Sequence, residues 1–144
     1  MEGALRGSFC YDRYMASKNR VKALDIVFSQ YIRLRDANDQ GIISCCSCGK
    51  MVHWKESDAG HFINRRWMGV RWDERNVHAQ CRHCNRFDEG NIPMYARFME
   101  KKYGVSGMDT LLALKHSTPK YSDVEVNLMI ADYRKKVKDL NPNR

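Results

Sequence analysis

The sequence predicts an α+β fold in which a small metal-pinned core, built of a hairpin and a helix, is flanked by longer helices. Three observations predict it. Two Cys-x-x-Cys knuckles, Cys45-Cys46-Ser47-Cys48 and Cys81-Arg82-His83-Cys84, bracket the middle of the chain. Between them lie two runs of strand length, Met51–Trp54 and Ala59–Ile63. On either side, apolar residues recur at steps of three and four, which places them on one face of a helix.

The whole chain sets the bounds. At 144 residues it makes one domain, with residues 1–17 as an N-terminal arm carrying Phe9, Tyr11 and Tyr14. A net charge of +8 favours a polyanionic partner. No apolar run reaches transmembrane length and Met1–Arg6 does not read as a signal peptide, so no membrane partner is expected. The expected setting is cytoplasmic and reducing, where paired cysteines serve as metal ligands rather than disulfides. Cys10 and Cys46 stand outside the pattern as ordinary thiols.

Taken in order, a helix is predicted over 18–37, with Leu24, Val27, Phe28, Tyr31 and Leu34 inward and Lys22, Arg33 and Arg35 outward. Asn38-Asp39-Gln40-Gly41 stops it, because Asn and Gly tolerate left-handed backbone. The core follows over 42–91. Ile42-Ile43-Ser44 leads into the first knuckle, Asn64 to Asp73 is a loop rich in Arg and Trp, Glu74 to Gln80 leads into the second knuckle, and a helix begins near Cys81. C-terminal helices occupy 92–140. Asn91 caps the first and Pro93 fits its first turn, since the missing N–H has no intrahelical partner there. Gly104 stops it, and a short helix with Leu111, Leu112 and Leu114 runs from Ser106 to Thr118-Pro119. Ser122-x-x-Glu125 is a capping-box pattern ahead of a stripe of Val126, Ile130, Tyr133, Val137 and Leu140.

Cys45, Cys48, Cys81 and Cys84 make a complete four-thiolate set. A closed set leaves no open coordination position, so the expected ion is a structural Zn²⁺. It would pin the base of the loop that contains Asp58-Ala59-Gly60-His61 and Arg75-Asn76-Val77-His78.

That loop resembles the HNH, or ββα-metal, nuclease motif: His61 at the end of a strand, Asn76 in the following segment and Asn85 at the start of a helix. The chain is more closely similar to the phage recombination nucleases of the NinG/Rap family. That family has Cys-x-x-Cys-Gly, Asp-Ala-Gly-His, Glu-Arg-Asn-x-His-x-Gln-Cys-x-x-Cys-Asn, then Gly-Asn and a Tyr. Here these stand at Cys45 to Gly49, Asp58 to His61, Glu74 to Asn85, Gly90-Asn91 and Tyr95. The resemblance covers roughly Lys18 to Leu140 and makes 18–144 a single nuclease domain with a zinc-pinned ββα-metal (HNH) core. It implies a phage- or prophage-encoded DNA endonuclease acting in the host cytoplasm on branched DNA such as D-loops and Holliday junctions. Some relatives carry a further Cys-rich N-terminal segment, with which this chain does not begin. Phage nucleases that resolve Holliday junctions likewise place an Asn directly after the second Cys-x-x-Cys, which implies that Asn85 is a metal ligand.

The chemistry fits these residue types. Phosphodiester hydrolysis needs a base, and neutral imidazole is poised near pH 7 to take a proton from water. It also needs a cation against the phosphate. Mg²⁺ or Mn²⁺ takes hard oxygen ligands, which Asp58 and Asn85 supply. His61 is therefore the expected base, Asp58 and Asn85 the ligands of the catalytic ion, and Asn76 a group that orients His61 or braces the loop. Asp58 lies three residues before His61, so on a regular strand the two point to opposite faces. A bulge or turn at Gly60 would bring them together; otherwise His78 is the first alternative ligand, ahead of Glu56 and Asp73. Arg65, Arg66, Arg71 and Arg75 are expected on the DNA backbone, since guanidinium pairs bidentately with phosphate, while Trp67 and Trp72 mostly pack. A homodimer is left open. The rival expectations are a non-catalytic zinc-ribbon DNA-binding module and a sequence-specific restriction or homing nuclease.

Overall fold

The computed structural model describes residues 15–141. Most of the predicted arm, with Phe9, Cys10, Tyr11 and Tyr14, lies outside the described residues. Helix α1 (Lys18–Arg35) is capped by Ser17, whose side chain accepts from the Arg20 N–H, and it buries Leu24, Val27, Phe28, Ile32 and Leu34. It ends two residues earlier than expected. The Asn38 side chain then accepts from the Gln40 and Ile42 N–H groups, and Gly41 takes φ 77°. Arg35, expected to face outward, turns under the helix and donates to the carbonyls of Glu74 and Val77, both at 2.8 Å.

The middle of the chain forms two antiparallel ribbons rather than one hairpin and a helix. In the first, β1 (Ile42–Ser44) pairs with β2 (Met51–His53), and the first knuckle is its turn. In the second, β3 (Ser57–His61) pairs with β4 (Val77–Cys81) in one-to-one register, from Ser57 opposite Cys81 to His61 opposite Val77. The loop between β3 and β4 contains a short helix, α2 (Met68–Arg71). The sequence reading took Glu74 to Gln80 only as a lead into the second knuckle; β4 alternates apolar Val77, Ala79 and Cys81 with polar His78 and Gln80, yet all five residues are buried. The helix expected from Cys81 is one π-helical turn, His83–Phe87. It goes no further because Glu89, Gly90 and Asn91 adopt positive φ in succession (48°, 81° and 43°) and reverse the chain.

Helix α3 (Ile92–Lys115) is broken at Gly104, where φ is 70° and ψ 175°, as the sequence predicts. Asn91 holds the cap position, yet its side chain makes no capping bond. Helix α4 (Asp123–Leu140) opens with the predicted capping box: Ser122 accepts from the Glu125 N–H, and Glu125 accepts from the Ser122 N–H.

Two cores enclose the β3–β4 ribbon. On one side α1 and α4 close over Trp72 and Val77, with Phe28 edge-on to Tyr133 at 5.1 Å. Glu74 ties these helices together, accepting from the Tyr31 and Tyr133 hydroxyls at 3.0 Å each. On the other side Ile63 and Val70 pack with Tyr95, Met99 and Leu111 of α3. Gly69 makes that approach possible, since a Cβ there would lie 2.1 Å from the Leu114 carbonyl oxygen. Among the described residues, no helix is long and apolar enough to cross a membrane.

Candidate functional site

The two knuckles meet. The Sγ atoms of Cys45, Cys48, Cys81 and Cys84 all lie within 4.8 Å of one another, and Cys48 Sγ is 3.7 Å from Cys81 Sγ. A tetrahedral ion with metal–sulfur bonds of about 2.3 Å needs sulfur–sulfur edges of about 3.8 Å. The Cys84 N–H points at Cys81 Sγ and the Asn91 amide at Cys84 Sγ, each at 3.4 Å, as donors that favour thiolates. The four cysteines can hold a metal such as zinc. Cys46 belongs to another environment: it packs in the core that contains Tyr95, and burial pushes its thiol up.

Beside this cluster opens a cleft of ≈ 900 Å³. Asp58, His61 and Asn85 line it together, along with Asp25, Arg65, Arg86 and Glu89. The ladder from Asp58 to His61 is regular, so no bulge at Gly60 unites them. The lining includes both Asp58 and Ala59, neighbours of opposite parity; the cleft thus follows the edge of β3 that has no strand partner. Asn85, set at the mouth of the second knuckle, donates from Nδ2 to Asp58 Oδ2 at 3.0 Å. Arg86 grips the same carboxylate in a fork, Nε to Oδ2 at 2.7 Å and Nη2 to Oδ1 at 2.8 Å. Despite the cost of partial burial, these donors hold the Asp58 carboxyl below the ordinary value.

His61 is held by a backbone carbonyl. Its Nε2 lies 2.9 Å from the Arg71 oxygen. A carbonyl only accepts, so Nε2 carries the proton and Nδ1 keeps the lone pair. Burial lowers the pKa of this imidazole below 6.5; the carbonyl and Asp25 oppose the shift, and Arg65 and Arg71 reinforce it. A neutral ring with one unclaimed basic nitrogen at a polar cleft can take a proton near neutral pH.

Other predicted residues fall elsewhere. Asn76 is fully buried and braces the loop: its Oδ1 accepts from the Ile63 N–H at 2.8 Å, and its Nδ2 donates to the carbonyls of Ile63 and Val70. It makes no bond to His61. His78, the alternative ligand, lies in the core, 1% exposed, with Nδ1 3.0 Å from the Tyr95 hydroxyl and Nε2 2.8 Å from that of Tyr103. Glu56 pairs with Arg82, and Asp73 with Arg75. Of the four arginines, Arg65 and Arg66 are exposed and make no ion pair among the described residues. Arg71 is committed to Asp25, whose carboxylate also accepts from Trp72 Nε1 at 2.9 Å. Trp72 packs as expected; Trp67 lies half-buried under Arg66 and Lys115.

The sequence reading missed Arg86 and gave no role to Gln80 or Tyr95, although both stand in the family motif. Arg86 meets its partner from 28 residues away, a distance no local pattern spans. Gln80, fully buried, donates to Ser47 Oγ and to the Gly90 carbonyl, so it ties the first knuckle to the exit of the second. Tyr95, quoted in the family motif with no role, donates its hydroxyl proton to the Gly60 carbonyl at 2.8 Å, directly before His61.

Comparison with known proteins places these features in context. Residues 13–143 match the family model described as Bacteriophage Lambda NinG protein. Over 136 residues, 92% of this chain, the sequence is 30% identical to Protein ninG of Salmonella phage P22, of which it covers 64%. It is 29% identical over the same length to Protein ninG of Escherichia phage lambda, again covering 64% of that protein. Protein ninG of Escherichia phage 933W is 30% identical, with 65% covered. The chain therefore spans somewhat less than two thirds of the length of these relatives. No solved structure matches it.

Proposed function

The chain belongs to the NinG family of bacteriophage proteins, and from that premise we propose that it is a divalent-metal-dependent DNA endonuclease with a structural zinc. The observation that carries the reading is the meeting of Asp58, His61 and Asn85 on one cleft beside the four cysteines. Cys45, Cys48, Cys81 and Cys84 would hold the zinc, and their ligation would fix the turn that carries Asn85 and the strand end that pairs with β3.

His61 Nδ1 takes a proton from water as the water oxygen bonds to phosphorus and the bond to the leaving oxygen breaks. Asp58 and Asn85 would hold Mg²⁺ or Mn²⁺, whose chemistry would be to neutralise charge on the phosphate and the leaving oxygen. The Asn85 amide turns its nitrogen to Asp58, so a half-turn of the amide group presents its oxygen as the second ligand. Arg65 on the cleft rim meets the backbone. A second groove of ≈ 760 Å³ shares Asp25, Ser29 and Arg65 with the cleft and adds Lys18, Lys22 and Arg33, which gives the nucleic acid a continuous basic path. The substrate is branched DNA, read by shape and backbone.

A cleavage assay on linear duplex and on a four-way junction, with and without Mg²⁺, tests the reading. Metal-dependent cutting that favours the junction is expected. Junction binding with no cutting under any metal would instead favour a zinc-ribbon binding module, and cutting at one sequence of a linear duplex a restriction-type nuclease.

A further inference from the structure

The position of Arg86 raises a question that the proposed chemistry leaves unanswered. Its guanidinium occupies both oxygens of Asp58, and Asn85 adds a third hydrogen bond to Oδ2. A bidentate fork lies in the plane of the carboxylate and covers the lone pairs that a hard cation would use. Asp58 cannot accept a divalent ion on that side while Arg86 remains. The two partners are held very differently. The Asp58 side chain is 16% exposed on a paired strand, whereas that of Arg86 is 53% exposed at the end of a single π-helical turn. Arg86 has no other ion pair or ring contact among the described residues, so it is the partner free to leave. It also lines the same cleft as His61 and Arg65, where a phosphate would lie.

We propose that Arg86 is an exchangeable phosphate clamp: it neutralises Asp58 when the metal position is empty, and it passes to a DNA phosphate when a divalent ion takes the carboxylate. The inference rests on the reading of Asp58 as a ligand of the catalytic ion. Its physical content is charge exchange. Guanidinium and metal ion compete for one carboxylate, while phosphate and carboxylate compete for one guanidinium. An anion that draws Arg86 away therefore raises the affinity of Asp58 for the ion, and the ion in turn raises the affinity for the anion by the same factor. Metal and DNA bind cooperatively through one side chain with no movement of the backbone. The arrangement also suppresses metal loading away from DNA.

The test measures Mn²⁺ affinity by electron paramagnetic resonance on zinc-loaded protein, in a His61→Ala background so that added DNA remains whole. Arg86→Ala should bind Mn²⁺ about two- to fivefold tighter without DNA, the range expected for release of an exposed ion pair. A short duplex should tighten Mn²⁺ binding in the Arg86 protein and leave it unchanged in Arg86→Ala. DNA affinity should rise with Mn²⁺ only where Arg86 is present. Asp58→Asn serves as the control for site. If Asp58→Asn binds Mn²⁺ as well as its parent, the metal reading of the cleft falls, and this proposal with it. If Asp58→Asn loses Mn²⁺ while Arg86→Ala binds it no tighter than its parent, the metal reading stands and the exchange alone is overturned. A duplex that tightens Mn²⁺ binding equally with and without Arg86 overturns it as well.

Discussion

His61 and His78 stand one rung apart on the same ribbon, His61 opposite Val77 and His78 opposite Gly60, and they have opposite fates. Both imidazoles are depressed by burial, His78 to about 3. By that measure His78 is the more perturbed and would be the better candidate site. The hydrogen bonds decide otherwise. Tyr95 has one hydroxyl proton and gives it to the Gly60 carbonyl, so it accepts from His78 Nδ1–H, and His78 Nε2 accepts from Tyr103. Neither nitrogen of His78 has capacity left, and its ring packs against Phe98 at 4.8 Å. His61 spends one nitrogen on a carbonyl and keeps the other at a cleft. A buried histidine is not a functional sign; a histidine with an unspent nitrogen beside a polar cavity is.

The largest effect should come from His61. Its replacement by Ala should lower cleavage by about 10²–10⁴-fold, the usual contribution of a general base, while zinc content stays at the parent's value and the lost bond to the Arg71 carbonyl costs the fold only about 0.5–1.5 kcal/mol. With its folded pKa lowered by burial, the ring loses its proton at a lower pH than a free imidazole, so the rising limb of the pH–rate profile should have its midpoint below 6.5. A variant that cuts at the parent rate would remove His61 from the chemistry and dissolve the contrast with His78.

His78 should respond the other way. His78→Ala removes a buried ring and takes the acceptor from the Tyr103 hydroxyl, which should destabilise the fold by about 2–4 kcal/mol. The pH dependence carries a sign. The folded value, about 3, lies below the unfolded one near 6.5, so the unfolded chain binds the proton more readily. The stability due to the neutral ring is complete above pH 6.5 and is lost as pH falls toward 3, at up to about 1.4 kcal/mol per unit. Urea titrations between pH 7 and 4 should show this slope in the parent and a shallower one in His78→Phe. Equal slopes would mean that His78 is not held neutral.

How much of this was legible depended on how local the signal was. The cysteine set could be read outright, because each knuckle places two sulfurs within one turn and only the pairing of turns is left to the fold. Asp58, His61 and Asn85 could be read through a motif, although their common cleft could not, since it depends on the free edge of β3. Strand β4 was overlooked, and its burial could not have been read: Val77, Ala79 and Cys81 alternate with His78 and Gln80 as in a half-exposed strand, but both faces are buried, so the polar residues mark interior positions. Arg86, Gln80 and the Asp25–Arg71 pair are long-range polar partners, and pairing of this kind leaves no periodic trace.

Gly60 lies between the two histidines' territories and should give an intermediate effect. A Cβ there would fall 2.2 Å from Gln80 Oε1 and 3.0 Å from its Cδ. Gln80 cannot swing aside freely, because its amide nitrogen holds Ser47 and Gly90. Gly60→Ala should therefore cost about 1–3 kcal/mol by overpacking and should loosen zinc retention against a chelator more than Ala substitutions on the cleft rim. Retention and melting temperature equal to the parent's would show that Gln80 yields, and that the junction of the two knuckles is softer than its hydrogen bonds suggest.

The smallest effect separates free arginines from committed ones, and so extends the contrast from imidazoles to guanidinium groups. Arg65 and Arg66 are exposed, whereas the Arg71 side chain is 16% exposed and locked on Asp25. Each phosphate contact contributes about 0.9 to the slope of log affinity against log salt on duplex DNA. Replacing Arg65 and Arg66 together with Ala should therefore flatten that slope by up to about 1.8, with the melting temperature unchanged. Arg71→Ala should leave the slope alone and lower the melting temperature, because it strips the half-buried Asp25 carboxylate of its cation. Arg75, half exposed but forked onto Asp73, should fall between them. A slope unchanged in the double variant would move the DNA path off this rim, toward Lys135 and Lys138 on α4, and would separate the cleft from the surface that holds the substrate.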